Sequence, residues 1–322
     1  MATIRILPDD ALIEAEPGET LLDASLRAGV MHAHACSGHA RCSTCRVEVT
    51  QGIENCAPRT AAEQALADRL GFAAHLRLAC QTVANADVTM RRLILDDDDV
   101  ALVDQRARGA AAVAAGEERK LAILFADIRG FTAFSEVLPP HDVVHILNRY
   151  FHAMGNAVAR FGGCIDNYMG DGLMALFGLP RGDEPESAQT PALLAVQAGL
   201  AMLEAMDALK PYLDSAYGRS FDIGVGIHYG DAVVGSVGAI GRERITAIGD
   251  AVNLASRIES ANKIAGTRLL VSEAVYKELQ PRLRIGRTLL VPIRGKSGEY
   301  ALYEVVEART EPEGPHFLGE LL

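Results

Sequence analysis

The sequence contains no tryptophan, and aromatic side chains make up only 5% of its 322 residues. Proteins that stack single-stranded nucleic acid depend on such side chains, so binding of that kind is not expected. Basic residues are also in the minority, because 31 lysines and arginines face 42 aspartates and glutamates and leave a net charge of −11. An acidic chain repels phosphate backbones. Nucleic acid is therefore not expected among its partners.

Long apolar runs are scarce as well. We find no uninterrupted run of about 18 apolar residues, and the first residues lack a charged leader followed by an apolar segment. We therefore expect no membrane partner and a cytoplasmic location. What is present is a 49% share of apolar residues, enough for a packed core, in a length that suits two domains.

Cysteine is the informative residue type. Six cysteines in a long chain of this kind do not indicate a disulfide scaffold. Thiolates select soft metals, which leaves zinc or an iron–sulfur cluster. The spacing C-x5-C-x2-C-x34-C departs from the paired C-x2-C of zinc sites and is one residue longer in its first gap than a plant-type 2Fe–2S site. Four cysteines form this pattern, and two stand apart as expected spare thiols: Cys36, Cys42, Cys45 and Cys80, then Cys56 and Cys164.

Residues 2–94 resemble the 2Fe–2S ferredoxin family in the segments CSGHARCSTCR (36–46) and LACQ (78–81). The length of the first gap, between Cys36 and Cys42, resembles the adrenodoxin-like branch of that family. The resemblance implies a β-grasp fold, a 2Fe–2S cluster on the four cysteines and a redox partner protein. Three histidines flank the loop and are expected to be surface or hydrogen-bonding residues: His32, His34 and His39.

Two aspartates stand where chain turns expose them. Asp127 ends an apolar strand in LFADIRGFT (124–132), and Asp171 occupies the turn of a predicted hairpin in NYMGDG (167–172). Two such carboxylates can bind Mg²⁺ or Mn²⁺, with substrate phosphates completing the shell. Phe131 and Thr132 lead into a helix whose N-terminal N–H groups suit a polyphosphate. Either aspartate by itself is equally compatible with ordinary turn chemistry.

A polar pair further along the chain adds to this pattern. Asn253 and Arg257 lie four residues apart and therefore on one face of a helix. Arginine could neutralise a transferring phosphoryl group, and the amide could orient a sugar. In isolation, a solvated helix face explains the pair equally well.

Residues 118–307 resemble the catalytic domain of class III adenylate and guanylate cyclases in four motifs, taken in order: FADIRGFT, YMGDGLMALFG, GIHYGD and TAIGDAVNLASR. The resemblance implies a ferredoxin-like α/β sandwich and a homodimer whose aspartates and Asn/Arg pair come from opposite subunits. It assigns two Mg²⁺ or Mn²⁺ ions to Asp127, the Ile128 carbonyl and Asp171. It further implies that Asn253 positions the ribose, that Arg257 stabilises the transition state and that Lys296 contacts the polyphosphate.

The residues that would read the purine depart from the usual pattern. Asn167 stands where adenylate cyclases often have lysine, and Thr246 replaces a frequent aspartate. An amide can donate to adenine N1 while a hydroxyl accepts from N6, so ATP is the favoured substrate. A flipped amide could also serve guanine, which leaves GTP as an alternative.

Together these features predict an α+β protein with a 2Fe–2S domain (1–95), a partly helical linker (96–118), a cyclase domain (119–307) and a flexible tail (308–322). The predicted function is adenylate cyclase activity regulated by the redox state of the cluster. Two alternatives remain open: a structural cluster beside a constitutive cyclase, and an electron-transfer ferredoxin with a non-catalytic nucleotide-sensing domain.

Overall fold

The structure is a computed structural model that describes residues 2–93, 116–179, 189–238, 244–293 and 298–309. It divides into two compact units between Glu117 and Glu118, and each unit combines a mixed sheet with helices. The α+β, two-domain prediction is therefore confirmed. Most of the predicted linker and tail lies outside the described residues, so their helical and flexible character stays a prediction.

The first unit is a five-stranded sheet in the order β2-β1-β5-β3-β4, with β1 and β5 parallel and the other pairs antiparallel. Two helices accompany it, and Ile4, Leu21 and Met90 are fully buried in its core. Its elements are β1 (Ala2–Leu7), β2 (Ala11–Ala15), α1 (Leu21–Arg27), β3 (Arg46–Gln51), a 3₁₀ turn (Ile53–Asn55), α2 (Ala61–Leu70), β4 (Leu76–Leu78) and β5 (Val88–Arg92).

The last strand of this unit is shorter than the sequence pattern predicts. Alternation predicts a strand over 83–95, whereas β5 covers only Val88–Arg92. Val83 and Ala84 form only isolated bridges, with Thr20 and Cys56, and the chain bends at Asn85 before β5 begins. Ahead of these bridges, the Gln81 and Thr82 N–H groups both donate to the Leu78 carbonyl and form a turn. This turn places Cys80 beside the cysteine loop.

A buried ion pair ties helix α2 to strand β4. Glu63 is fully buried, and its carboxylate accepts hydrogen bonds from the Arg77 guanidinium at 2.9 Å and the Leu78 N–H at 2.8 Å. Because both charged groups are buried, removing one would leave the other uncompensated, a change that typically costs about 3–5 kcal/mol. The pair thereby holds the segment that leads to Cys80.

The second unit is an eight-stranded sheet in the order β12-β13-β11-β9-β6-β8-β7, with β10 paired to β9. Its elements are β6 (Glu117–Ile128), α3 (Phe131–Ser135), α4 (Pro140–Arg160), β7 (Cys164–Met169), β8 (Gly172–Phe177), α5 (Pro191–Tyr217), β9 (Ile223–Val237), β10 (Arg244–Ile248), α6 (Asp250–Ala265), β11 (Leu269–Ser272), α7 (Glu273–Leu279), a 3₁₀ turn (Gln280–Arg282), β12 (Leu283–Pro292) and β13 (Glu299–Ala308). The main core packs α4 and α5 on the sheet, with Tyr150 and Met202 fully buried.

The structure confirms one predicted feature of this unit, the β7–β8 hairpin, and corrects another, the division of strand β9. The β7–β8 hairpin is confirmed, with Gly170 at φ +65° in the two-residue turn that carries Asp171. The sequence pattern predicts two further strands, over 222–229 and 232–237, but the chain runs through Gly230 as one strand, Ile223–Val237. Its first half pairs with β11 and its second half with β10, so both halves stay extended.

Helix α5 is the described helix that is long and apolar enough to cross a membrane, by length and composition alone. This helix is predominantly apolar over a length that could span a membrane, although polar residues interrupt the apolar run. Half of its most apolar window is buried inside the protein, and residues such as Val196, Met202 and Leu213 belong to the core. Packing against the sheet accounts for the apolar composition of the helix.

Candidate functional sites

The cysteine loop presents four thiols in two pairs. The Sγ atoms of Cys45 and Cys80 lie 3.4 Å apart and are buried, whereas Cys36 and Cys42 are half-buried and share a side-chain contact. In the ranges described, no three histidine, cysteine, aspartate or glutamate side chains converge closely enough to enclose a metal ion by themselves. The four thiols are nevertheless brought to one end of the sheet, by the loop and by the turn after β4.

Backbone conformation aims N–H groups at the sulfurs. Ser37, Gly38 and Ala40 all have positive φ, and N–H groups of the loop face the Cys36 thiol. The Cys45 thiol and, more weakly, the Ala40 N–H donate to the Cys80 sulfur and lower the pKa of Cys80, whereas the same contact between the two thiols raises the pKa of Cys45. Donors to sulfur stabilise thiolates and tune clusters, so the residues present fit an iron–sulfur group.

Two polar side chains support the ligand residues. The Thr44 hydroxyl lies 3.1 Å from the Cys42 sulfur and accepts from the Ala35 N–H at 2.9 Å. The Gln81 amide donates to the Gly38 carbonyl at 3.1 Å and approaches the Cys80 sulfur at 3.7 Å. The spacing argument did not single out either residue.

The flanking histidines behave differently from one another. His34 and His39 hydrogen-bond through Nδ1 to the backbone carbonyls of His32 and Cys36, as predicted for hydrogen-bonding residues. His32 is not a surface residue, because it is only 4% exposed. Burial, with the positive charge of Arg92, lowers the pKa of His32 to about 4, so this ring is a neutral core residue.

Cys56 is half-buried and Cys164 is exposed, both as free thiols.

Asp127 and Asp171 come together although 44 positions separate them in the sequence. Pairing of β6 with β8 sets the end of β6 beside the β7–β8 turn. Burial and then the negative charge of Asp171 raise the pKa of Asp127, and the two carboxyl groups are close enough to share a hydrogen bond. Gly172 leaves them room, since a Cβ there would lie 3.1 Å from the Asp127 Oδ1. Two mutually repelling carboxylates fit a divalent cation, which relieves the repulsion.

Three further polar side chains lie near this pair: Arg129, Tyr150 and Glu259. The Arg129 Nη2 is 3.5 Å from the Glu259 Oε1, a longer separation than in a hydrogen bond. Burial raises the pKa of Glu259 to about 7 against the opposing charge of Arg129, and the charge of Asp127 adds to the rise. The Tyr150 hydroxyl is buried without a hydrogen-bond partner among the described residues. Sequence reasoning missed all three groups, because only the fold brings them together.

Asn253 and Arg257 lie on the first turns of helix α6 and are exposed and half-buried, respectively. The opposite face of the helix is buried and packs on β9; it includes Ala255 and Glu259. Gly226 permits this close packing, since a Cβ there would lie 2.1 Å from the Glu259 backbone nitrogen. Within one chain, Glu259 therefore faces the aspartates, while Asn253 and Arg257 point outward.

The remaining predicted residues are placed as follows. Phe131 is the first residue of α3, a helix of five residues, and Thr132 is exposed beside it. The side chain of Asn167 is half-buried on β7, and Thr246 is 7% exposed on β10. Ile128 is buried at the end of β6. Lys296 lies outside the described residues.

The residue that Thr246 contacts was not predicted. Its hydroxyl donates to the Asp166 carboxylate at 2.9 Å. Strand alternation assigns Asp166 to the face opposite Asn167, but β7 has a register irregularity between Ile165 and Asn167 that changes where Asp166 points. A bulge of this kind leaves no clear signal in the sequence.

Comparison with known proteins identifies the family of each domain. The family model of the adenylate and guanylate cyclase catalytic domain matches residues 113–306, and that of the 2Fe–2S iron–sulfur cluster binding domain matches residues 4–85. An adenylate cyclase of Anabaena cylindrica is 36% identical over 200 residues, which cover 60% of this chain and 38% of that protein. The chain thus spans well under half the length of this relative.

Two solved structures are similar at the level of the second unit. The guanylyl cyclase Cya2 is 32% identical with a TM-score of 0.55, covering 61% of this chain and 95% of that chain. The adenylyl cyclase CyaB from P. aeruginosa is 32% identical with a TM-score of 0.54, covering 61% of this chain and 97% of that chain. Because the cyclase model matches more than half of its residues, the chain belongs to the class III adenylate and guanylate cyclase family, with a 2Fe–2S ferredoxin-type domain ahead of the catalytic domain.

Proposed function

We propose that this chain is an adenylate cyclase that converts ATP to 3′,5′-cyclic AMP and pyrophosphate. The observation that carries the proposal is the convergence of Asp127 and Asp171 in a chain that also retains Asn253 and Arg257. A non-catalytic nucleotide sensor would have no need of this complete set. In the reaction, the bond from O3′ to the α-phosphorus forms and the bond to the bridging oxygen of the β-phosphate breaks. Pyrophosphate leaves with the electron pair, and the hydroxyl proton passes to water.

Each residue of the site has one task in this proposal. Asp127, Asp171 and the Ile128 carbonyl hold two Mg²⁺ or Mn²⁺ ions, which when bound supply Lewis acidity and neutralise polyphosphate charge. Asn253 hydrogen-bonds the ribose and so sets the direction of O3′. Arg257 donates to the oxygens on which negative charge develops at the α-phosphorus. Phe131, Thr132 and Lys296 contact the polyphosphate.

The proposed active form is a homodimer with two shared sites. Asn253 and Arg257 point away from the face of α6 that borders the aspartates, so a site that uses both pairs needs a second copy. Strands β7, β9 and β10 also expose large apolar side chains that a partner could cover: Tyr168, Met169, Val233, Val237, Ile245 and Ile248.

Mixing two inactive variants tests the shared site. Asp127→Asn and Arg257→Ala should each be inactive alone, because every site in either homodimer lacks one group. After subunit exchange, half of the dimers are mixed and each mixed dimer has one intact site, so activity should recover to about a quarter of the wild-type value. Cyclic AMP formation in the mixture measures this. A mixture that stays inactive while mixed dimers are detected would exclude a site shared between subunits.

We further propose that the ferredoxin-type domain regulates the rate of cyclisation and that the chain acts in the cytoplasm. The two cysteines outside the proposed ligand set, Cys56 and Cys164, are free thiols, as a reducing compartment would maintain them. A 2Fe–2S cluster, when bound, supplies a one-electron couple that a redox partner protein can address. Its effect on the cyclase would be a shift between conformational states of different activity.

An anaerobic assay tests this regulation. Turnover of ATP should differ severalfold between the dithionite-reduced chain and the oxidised chain, because the coupling free energies typical of allostery correspond to rate changes of this size. Cyclic AMP formation should be measured in both states, with cluster absorbance recorded in the same sample. Equal rates would instead indicate a structural cluster beside a constitutive cyclase.

A further inference from the structure

The purine specificity of the site is the point that the residues predicted from sequence leave open. The Asn167 amide can present either a donor or an acceptor, depending on its flip, so it does not choose between adenine and guanine by itself. Thr246 is equally ambiguous as an isolated hydroxyl, since it can donate or accept. Discrimination between adenine and guanine therefore requires a neighbouring group that fixes the orientation of either the Asn167 amide or the Thr246 hydroxyl.

Asp166 is such a neighbour for Thr246. The Thr246 Oγ1 lies 2.9 Å from the Asp166 Oδ2, and Thr246 is only 7% exposed. An ionised carboxylate only accepts hydrogen bonds. The single hydroxyl hydrogen of Thr246 is therefore committed to Asp166, and only lone pairs remain on Oγ1 for a ligand.

A site with these lone pairs distinguishes the two purines at position 6. Adenine carries an amino group there, which donates, whereas guanine carries a carbonyl oxygen, which accepts. Oγ1 can accept from the adenine amino group, but it would meet the guanine oxygen with lone pair against lone pair. Leaving such a polar group unpaired in a buried site is what gives strong discrimination.

The second oxygen of Asp166 does not reverse this preference. Guanine is bound best by a carboxylate that accepts from N1–H and N2–H with both oxygens at once. The Oδ2 atom already accepts from Thr246, so that two-oxygen arrangement is not available. The Oδ1 atom is buried and has no hydrogen-bond partner among the described residues, which leaves an acceptor for one further donor.

We propose that Asp166 is a positioning residue for substrate specificity, which fixes the Thr246 hydroxyl as an acceptor and thereby favours adenine over guanine. This inference rests on the proposed function, in which Asn167 and Thr246 face the purine. Asp166 itself need not touch the reacting atoms.

The test is the ratio of kcat/KM for ATP to that for GTP in Asp166→Asn. An asparagine amide can donate to Thr246, which frees the hydroxyl hydrogen for the guanine oxygen, so the ratio should fall at least about tenfold. A gain in GTP turnover is part of the expected result, because a merely structural loss would lower both activities together. Asp166→Ala, in which the hydroxyl can rotate freely, should shift the ratio in the same direction and serves if Asp166→Asn does not fold.

Variants of Thr246 make the test specific. Thr246→Ser keeps the hydroxyl and should keep the ATP preference. Thr246→Val removes it, so adding Asp166→Asn to Thr246→Val should not change the ratio further. An unchanged ratio in both Asp166 variants, with a changed ratio in Thr246→Val, would overturn the role of Asp166 and leave the cyclase intact. A wild-type chain that forms no cyclic nucleotide would instead overturn the proposed function.

Discussion

Replacing Asp127 with asparagine is expected to lower cyclic AMP formation from ATP by about a thousandfold or more. Two carboxylates share this site, and in the proposed function the loss of one removes a charge that would hold the two divalent cations. A loss of several kcal/mol of transition-state stabilisation corresponds to an effect of this size. Asparagine keeps the shape of the side chain, and it removes the repulsion between Asp127 and Asp171, so the fold should be retained.

Asp214→Asn is the matched control for this variant. Asp214 is an exposed aspartate near the end of helix α5. The substitution makes the same chemical change, and the rate should stay within about twofold of wild type, in line with surface substitutions generally. Initial rates at saturating ATP and Mn²⁺, with circular dichroism to verify folding, decide the comparison. Near-wild-type activity in a clean preparation of Asp127→Asn would refute the metal assignment.

Replacing Cys45 with serine is expected to abolish the cluster. Cys45 is 1% exposed and its sulfur lies 3.4 Å from that of Cys80, so its thiol is buried beside a second proposed ligand. Serine offers a hard oxygen in place of a soft thiolate. Iron should fall from about two atoms per chain to near zero, and the visible absorbance of the cluster should disappear.

Cys56→Ser controls for the loss of any thiol. Cys56 is half-buried like Cys42, but its sulfur approaches the Gly52 carbonyl instead of another cysteine sulfur. This variant should retain iron and absorbance. Iron loss in Cys56→Ser, or its retention in Cys45→Ser, would contradict the assignment of the four ligands. Zinc in place of iron in the purified protein would contradict the identification of the bound group as a 2Fe–2S cluster.

The sequence carried most of the information on the two sites, because both depend on residues fixed by local chain geometry. The cysteine spacing places three thiols on one loop, and the Gly170–Asp171 turn follows from hairpin rules. Likewise, the four-residue spacing of Asn253 and Arg257 determines that they share a helix face. These features need only the chain within a few residues of each position.

Features that depend on long-range packing could not be predicted in this way. His32 is buried by contacts between segments that are distant in sequence, so its polarity misleads. The approach of Arg129 to Glu259 requires β6, β9 and α6 to be assembled first. The contact between Asp166 and Thr246 joins residues 80 positions apart across an irregular strand. An alternating pattern assigns such a residue to the wrong face, and only the assembled sheet corrects it.

The most direct measurement is an assay of the purified, cluster-loaded chain with ATP and Mn²⁺, in which cyclic AMP and pyrophosphate are quantified together. We expect both products in equal amounts, at a rate at least about a thousandfold above that of Asp127→Asn. GTP in place of ATP should give a much lower rate of cyclic GMP formation. Absence of cyclic AMP above the Asp127→Asn background, in protein that is dimeric and carries its cluster, would contradict the assignment of this chain as an adenylate cyclase.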